Sequence, residues 1–246
     1  MPVRRSQPRM VYPRPPIKEA ACEVVFRENQ PWDITLPAII YSKLRESYPS
    51  RPSIGTSSFF RSRQDSVPQV VLSTVDARKQ VKFGANSLVV SVLAPYNGWE
   101  EFSPRIKQAL STFIKVTEPA GIASIRLRYQ NEIRIPGKSY TFSEYFTILT
   151  SVPKEVPSTF VGFHHNIMTR YKDADETTLQ LIFSSVPTDE TEVLVAGLDI
   201  AVSTTKVSET LQVAKIMRLV NELKIRASDA FEALITEKTR ALFRDD

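Results

Sequence analysis

The sequence predicts an α+β fold, in which helices cover one face of a curved antiparallel sheet. Residues 124–135 alternate apolar and polar side chains, and this period of two is typical of a strand with one buried face. Further short segments with strand character follow in two groups, and an amphipathic helix closes each group. Both groups therefore read as β-α-β(3-4)-α, which predicts two similar halves.

The first half begins after a proline-rich arm. Residues 1–16 contain five prolines, which fix φ and remove backbone donors, so we expect this arm to be extended. We assign residues 17–118 to the first half. Its predicted elements are a strand at 18–28, a helix at 35–48, strands at 59–63, 69–76, 80–84 and 88–94, and a helix at 99–116.

The second half, residues 119–246, repeats this order. It is predicted to contain a strand at 122–135, a short helix at 142–149, strands at 159–171, 177–186 and 193–203, and a final helix at 208–243. The repeated order suggests duplication of one unit. Comparable layouts are the TATA-binding-protein-like saddle and the helix-grip fold, and this analogy carries no function.

The final helix is predicted to be long. Ile216, Val220 and Leu223 follow the three-to-four spacing of a helix that packs on a sheet or in a coiled coil. We consider packing on the chain's own sheet and, as an alternative, an oligomer interface built from these three residues. A bend at Ser228-Asp229 would keep the helix within the domain.

The positive charge of the chain is concentrated at its start. Residues 1–63 hold 11 of the 32 basic residues but only 5 of the 27 acidic ones. An alternative function is therefore nucleic-acid binding, with affinity that falls as salt rises. The basic residues that would contact phosphates are Arg4, Arg5, Arg9, Arg14, Arg51, Arg61 and Arg63.

A second charged feature lies on the strand at 122–135. Arg126, Arg128 and Glu132 share its polar face, while Glu19 and Glu23 share one face of the first strand. If the two strands are neighbours, cross-strand charge pairs would join the halves, each pair contributing about 0.2 to 1 kcal/mol. The other interpretation is the floor of a ligand site.

No recognisable catalytic constellation is present in the sequence. Cys22 falls in the apolar phase of its strand, which predicts a buried thiol. His164 and His165 are adjacent, so on a strand they point to opposite faces and do not ligate one metal ion. A third hypothesis is a hydrolase or small-ligand enzyme with His164 as the base and Arg126 or Arg128 as anion anchors. We predict no metal and no cofactor.

Several motifs resemble a sporadically distributed, uncharacterised bacterial family of about this length. They are Pro15-Pro16-Ile17 with Glu19-Ala20 and Cys22-Glu23, Trp32-Asp33, Pro95-Tyr96-Asn97-Gly98-Trp99, Leu127-Arg128-Tyr129-Gln130-Asn131-Glu132-Ile133, and Phe231-Glu232-Ala233-Leu234-Ile235-Thr236. The resemblance brings no activity. The patchy distribution of the family resembles that of mobile-element or phage-defence genes.

The sequence therefore favours a non-enzymatic binding or assembly module. We expect its partner to be a protein or a second copy of the chain, within an accessory bacterial system. No run of eighteen apolar residues occurs, so we expect a cytoplasmic protein without a membrane span.

Overall fold

A single antiparallel sheet of nine strands organises the part of the chain that the structure describes. The structure is a computed structural model, and it describes residues 11–27, 32–56, 68–137, 141–148, 155, 161–190, 192–207 and 211–244. The fold is α+β, as the sequence predicts. The elements from the first half of the sequence are β1 (Ile17–Arg27), α1 (Leu36–Leu44), β2 (Ser53–Thr56), β3 (Pro68–Ser73), β4 (Lys79–Phe83), β5 (Ser87–Leu93) and α2 (Trp99–Thr117).

The remaining elements follow in a similar order. They are β6 (Gly121–Pro136), α3 (Phe142–Tyr145), β7 (His164–Tyr171), β8 (Ala174–Val186), β9 (Val193–Thr204), α4 (Val213–Leu234) and α5 (Glu237–Ala241). The strand order across the sheet is β2-β3-β4-β5-β1-β6-β9-β8-β7. The strands that open the two halves, β1 and β6, are therefore neighbours, as the charge-pair hypothesis requires.

The register of β1 and β6 places charged residues side by side. Glu23 lies opposite Arg126, and Ala21 lies opposite Arg128. A bulge in β1 at Lys18 shifts this register near its start, and the buried side-chain amide of Asn131 donates there to the carbonyl of Leu198 over 2.9 Å. The amide therefore fixes the backbone where the regular ladder is interrupted.

One hydrophobic core lies between the sheet and the helices. Along β6, Ile125 and Leu127 are fully buried, while the alternate residues Arg126 and Arg128 are partly exposed. Helix α2 packs on β5, and α4 packs on β6 and β9. The ring of Phe113 in α2 stacks on that of Phe26 in β1, with centroids 4.8 Å apart. Burial of each such side chain contributes about 1.5 to 3 kcal/mol.

The C-terminal helix differs from its prediction. Instead of one helix over 208–243, α4 ends at Leu234 and α5 begins at Glu237. Ile235 is extended and forms an isolated β-bridge with Phe146. The amide of Thr236 then donates to the carbonyl of Tyr145 over 3.0 Å. Hydrogen bonds to the segment after α3 replace those of a continuous helix. Because α4 continues through Ser228-Asp229, the predicted start of a second helix at those residues is wrong, and the break lies after Leu234.

Other elements also differ from the predictions. Helix α1 ends at Leu44 rather than at residue 48, and α3 ends at Tyr145 because Phe146 enters the bridge to Ile235. Strand β2 was not predicted. The strand predicted at 59–63 lies outside the described residues.

Candidate functional site

The charged residues singled out in the sequence lie on the sheet face opposite α2 and α4, here called the polar face. Partners in an antiparallel ladder share a face. The register therefore defines a charged row across five strands, which consists of Glu23, Arg126, Ser203, Thr178 and Arg170. Its two arginines lie on different strands, with two hydroxyl residues between them. The hydroxyls of Thr178 and Ser203 lie 2.8 Å apart and hydrogen-bond.

A bidentate ion pair on the polar face joins Arg128 to Asp199. The Nε of Arg128 donates to both carboxylate oxygens of Asp199 over 2.8 Å, and its Nη2 contacts Oδ2. The two side chains are only 17% and 13% exposed. A bidentate arginine–carboxylate pair fixes both side chains. Arg128 was expected to interact with the carboxylates of β1, and its positive charge does act to lower the pKa of Glu19. Asp199 of β9 is an additional partner that was not predicted.

The Arg126 guanidinium donates a hydrogen bond to a neutral side chain and also interacts with the negative charge of Glu23. Its Nη2 donates to the side-chain oxygen of Gln180, and the Gln180 amide in turn donates to Asn166 over 3.0 Å. Burial lowers the pKa of Arg126, and the negative charge of Glu23 opposes that effect. Glu23 and Arg126 therefore interact across the β1–β6 junction, as the structural interpretation of these residues expected.

A shallow depression of about 570 Å³ surrounds the charged row. Glu23, Arg126, Arg170 and Glu176 line it together with hydroxyl residues. Two acidic and two basic side chains thus face the same space. The lining has no excess of either sign, so it does not favour a polyanion over a polycation.

Glu19 and Glu132 belong to a second depression of about 450 Å³ near the bulge in β1. The carboxylate of Glu132 lies 3.5 Å from Nζ of Lys18 and 3.6 Å from Nη1 of Arg134. Glu19 is more deeply buried, and this burial raises its pKa, although the positive charge of Lys82 opposes the shift. Glu19 and Glu132 therefore do not share the depression at Glu23 and Arg126.

The raised pKa of Glu19 predicts a pH-dependent stability. A folded-state pKa above the unfolded value of about 4.5 means that the folded protein binds the proton more tightly. Proton binding by Glu19 therefore stabilises the folded protein. This stabilisation is complete below the unfolded pKa of Glu19 and is lost as pH rises through its folded pKa. We expect Glu19→Gln, which stays neutral, to gain in melting temperature relative to wild type as pH rises above the unfolded pKa of about 4.5.

Thermal denaturation at several pH values checks this, with Glu46→Gln as the control because Glu46 is exposed on the surface. A Glu19→Gln protein that loses stability relative to wild type at high pH would contradict the expectation. That result would show that the Glu19 carboxylate is stabilised by its cationic neighbours more than it is penalised by burial.

The structure does not bring His164 to the arginines. His164 is exposed at the start of β7 and lies opposite Ser184, six residues along the strand from Arg170 in the charged row. Six residues of strand span about 20 Å. The base and anion anchors of the enzyme hypothesis are therefore separated. His165 points to the other face, where its ring lies 5.7 Å from that of Phe163.

Of the predicted nucleic-acid contacts, only Arg14 and Arg51 lie within the described residues. Arg4, Arg5, Arg9, Arg61 and Arg63 lie outside them. Arg14 precedes the central strand β1, and Arg51 precedes the edge strand β2. Four strand spacings, about 19 Å, separate these two strands.

The residues predicted for an oligomer interface are buried inside the chain itself. Ile216, Val220 and Leu223 are at most 3% exposed and belong to the core under α4. The outer residues Met217 and Leu219 are partly buried against the same core. Helix α4 therefore uses this apolar surface to pack on its own sheet, so an interface built from these residues is not available in this conformation.

Cys22 is buried, and this burial raises the pKa of its thiol to about 12. Among the described residues, no three His, Cys, Asp or Glu side chains lie close enough together to hold a metal ion. Within the same residues, no helix is both long enough and apolar enough to cross a membrane.

Sequence reasoning did not identify Asp199, Gln180 or Glu176 as parts of the polar face. The sequence could have identified Asp199, because it is a lone acidic residue between the apolar Leu198 and Ile200 of a strand. A charge at such a position must lie on the polar face. Its partner could be identified only from the strand order.

Comparisons with known proteins show no family for this chain. No family model matches it, and neither does any curated protein. Among solved structures, one similarity is to the di-domain ARO/CYC StfQ from the steffimycin biosynthetic pathway. The two share 9% identity over 87% of this chain and 97% of the other, with a TM-score of 0.16. A likeness this weak carries no argument about fold or function.

Proposed function

We propose that this protein is a non-enzymatic binding module that recognises a protein partner through the polar face of its sheet. The observation that carries the proposal is the charged row, where side chains of both signs lie around one depression on the face opposite α2 and α4. Helices bury the other face of the central strands. A polar face that extends across five strands suits contact with the polar surface of another macromolecule.

The balance of charge favours protein over nucleic acid. Nucleic-acid sites need an excess of Lys and Arg to neutralise phosphates. The depression instead pairs Arg126 and Arg170 with Glu23 and Glu176. A protein surface with alternating charges is complementary to such a pattern, which also disfavours partners with the wrong arrangement.

The internal contacts of the polar face support the same role. Arg128 is held by Asp199, and Arg126 by Gln180, so these side chains lose little freedom when a partner binds. An anion substrate would have to compete with the Asp199 carboxylate for Arg128. The separation of His164 from the charged row also favours binding over catalysis.

We also propose that the two halves arose by duplication of one unit and form a saddle-like or helix-grip-like sheet. Support comes from the strand order, in which β5 follows β1 outward on one side and β9 follows β6 on the other. In each half, the last strand before the closing helix pairs with the opening strand. The polar face would then span both units.

The proposed setting is the cytoplasm of a bacterium, in an accessory system that includes a larger partner protein. The accessory bacterial system is proposed from the family resemblance of the motifs alone. The partner is proposed to be a different protein rather than a second copy, because the apolar residues of α4 are already buried in the core.

Charge exchange on the polar face tests the proposal. The double variant Arg170→Glu with Glu176→Lys keeps the net charge but reverses the signs at two exposed positions. We expect recovery of the partner by native co-purification to fall by about tenfold, since like charges would then meet across the interface. Quantitative mass spectrometry measures this recovery.

The matched control is Lys215→Glu with Glu222→Lys, which makes the same exchange on the exposed side of α4. This variant should retain its partner. Equal recovery with both double variants, or purification of the wild type as a bare monomer, would contradict the proposal. Nuclease-sensitive recovery would favour the nucleic-acid alternative.

A further inference from the structure

The outermost strand of the sheet, β7, has an open edge. It lies at the end of the strand order next to β8, and among the described residues no strand pairs with its other side. Strand β7 has eight residues and lacks the proline or lysine that often protects a sheet edge. The opposite edge strand, β2, has only four residues. A long, unprotected edge is a template for pairing with another chain, so β7 is the better candidate for strand addition.

The register of β7 and β8 shows which backbone groups point to this edge. In an antiparallel pair, residues that exchange hydrogen bonds alternate with residues whose N–H and C=O groups point away from the partner strand. The amide of Ser185 donates to the carbonyl of Phe163 over 3.1 Å, and this pair continues the register of β7 and β8. Phe163 therefore bonds to β8, and so does every second residue after it. The residues between them point their backbone groups outward, and these are His164, Asn166, Met168 and Arg170.

The side chains of β7 are open to solvent on both faces of the sheet. The four residues with outward backbone groups have their side chains on the polar face, and all four are exposed. Met168 is 69% exposed, and Ile167 on the opposite face is 38% exposed. An added strand would cover both of these apolar side chains while it bonds to the outward backbone groups. Apolar burial would therefore add to the main-chain hydrogen bonds in stabilising the pair.

The charge of β7 indicates what the added strand should carry. Arg170 is the only lysine, arginine, aspartate or glutamate of β7, and it ends the charged row. Residues directly opposite each other on one face interact, so a carboxylate opposite Arg170 would stabilise the pair of strands. A second copy of β7 would bring another arginine and no carboxylate. A different protein with an acidic residue in an extended segment therefore fits this edge better than a second copy does.

We propose that the open edge of β7 binds an extended segment of the partner protein, which adds a strand to the sheet and places an aspartate or glutamate opposite Arg170. This inference rests on the proposed function, because it identifies how the partner reaches the polar face. In strand addition, main-chain hydrogen bonds supply affinity and side chains at alternate positions supply specificity. The added strand would continue the charged row beyond β7.

A phage-displayed library of random peptides, each about twelve residues long, supplies the probe, since strand addition needs only a short extended segment. We expect selection against the wild-type protein to enrich peptides with an acidic residue in a stretch free of proline. Amide hydrogen exchange, followed by proton–nitrogen NMR, then locates the synthetic peptide. A peptide that is bound for about nine tenths of the time should slow exchange by about tenfold at the outward amides of Asn166, Met168 and Arg170. The amides of Ile167 and Thr169, which already bond to β8, should change much less.

Proline substitution tests the role of the outward backbone groups. Met168→Pro removes one outward N–H and leaves the hydrogen bonds to β8 in place. The protein should therefore fold, but it should bind the selected peptide at least about tenfold more weakly. Arg170→Glu should weaken binding by about fivefold, and a peptide with lysine in place of its acidic residue should recover this loss.

The matched control is Ile54→Pro on the other edge strand, β2. The Thr74 amide donates to the Lys79 carbonyl over 3.0 Å, so Val70, which has the same place in the alternation of β3, also bonds to β4. Ile54 lies opposite Val70, and its N–H therefore points away from β3. This variant loses an outward N–H at the wrong edge, so it should bind the peptide as tightly as wild type does.

Several results would overturn the proposal. They are a selection that enriches no peptide, a bound peptide that leaves the outward amides of β7 unprotected, wild-type affinity in a folded Met168→Pro protein, and wild-type affinity in Arg170→Glu. The pattern of amide protection is measured on the wild type, so it decides the question even if Met168→Pro does not fold.

Recovery of the native partner separates this inference from the proposed function. Loss of the partner from Arg170→Glu with Glu176→Lys, but full recovery with Met168→Pro, would overturn strand addition and leave the protein interface in place. Full recovery with the double variant would instead overturn the proposed interface itself.

Discussion

Removal of the chain after Leu234 is expected to destabilise the protein by about 4 kcal/mol or more, enough to unfold many domains of this size. The truncation deletes Ile235 and Phe243, which are 2% and 4% exposed. It also removes the β-bridge to Phe146 and the edge contact between the rings of Phe243 and Tyr12, whose centroids lie 5.3 Å apart. The end of the chain therefore fastens the arm and α3 to the core.

Chemical denaturation measures this loss, and size-exclusion chromatography measures the oligomeric state. Phe243→Ala should cost about 3 kcal/mol, as other buried phenylalanine truncations do. Glu237→Ala is the control, because Glu237 is exposed at the start of α5, which precedes Phe243, and should change stability by less than about 0.5 kcal/mol. A truncated protein that stays folded but changes its oligomeric state would instead support an interface formed by the C-terminal helices.

Replacement of Asp199 by Asn is expected to cost about 2 to 3 kcal/mol. The substitution keeps the shape of the side chain but leaves the largely buried Arg128 without its carboxylate. Loss of one partner from a buried pair is costly because the remaining charge stays away from water. Denaturant unfolding of the variant measures the effect.

An exposed ion pair between β6 and the loop before β9 provides the control. Arg134 and Glu190 also form an ion pair, but their side chains are 47% and 56% exposed. Glu190→Gln should therefore cost less than about 1 kcal/mol. Replacement of both members of the buried pair, Arg128→Met with Asp199→Leu, should restore most of the lost stability. Equal losses of stability in Asp199→Asn and Glu190→Gln would contradict this prediction, because the buried Arg128–Asp199 pair would then contribute no more to stability than the exposed pair.

The alternation of β6 could be predicted because it is a local property. Ile125 and Leu127 face the core and Arg126 and Arg128 face away, as the sequence indicates. The pairing of Arg128 could not be predicted, because Asp199 is 71 residues away and becomes a neighbour only through the strand order.

At the end of α4, the local sequence pattern gave the wrong prediction. Helical periodicity continues beyond Leu234, yet Ile235 leaves the helix. Its extended conformation is stabilised by the bridge to Phe146 and by the hydrogen bond from Thr147 to Leu234. Local propensity favours the helix only weakly, so a few tertiary hydrogen bonds and a buried isoleucine decide the outcome.

The central claim is that a protein partner contacts the polar face. Site-specific photo-crosslinking in the native cell tests it most directly, with a benzophenone amino acid placed either at position 170 on the polar face or at the exposed position 222 on α4. We predict a discrete protein adduct from position 170 and none from position 222. Adducts of equal yield from both positions, or a nuclease-sensitive adduct from position 170, would contradict the claim.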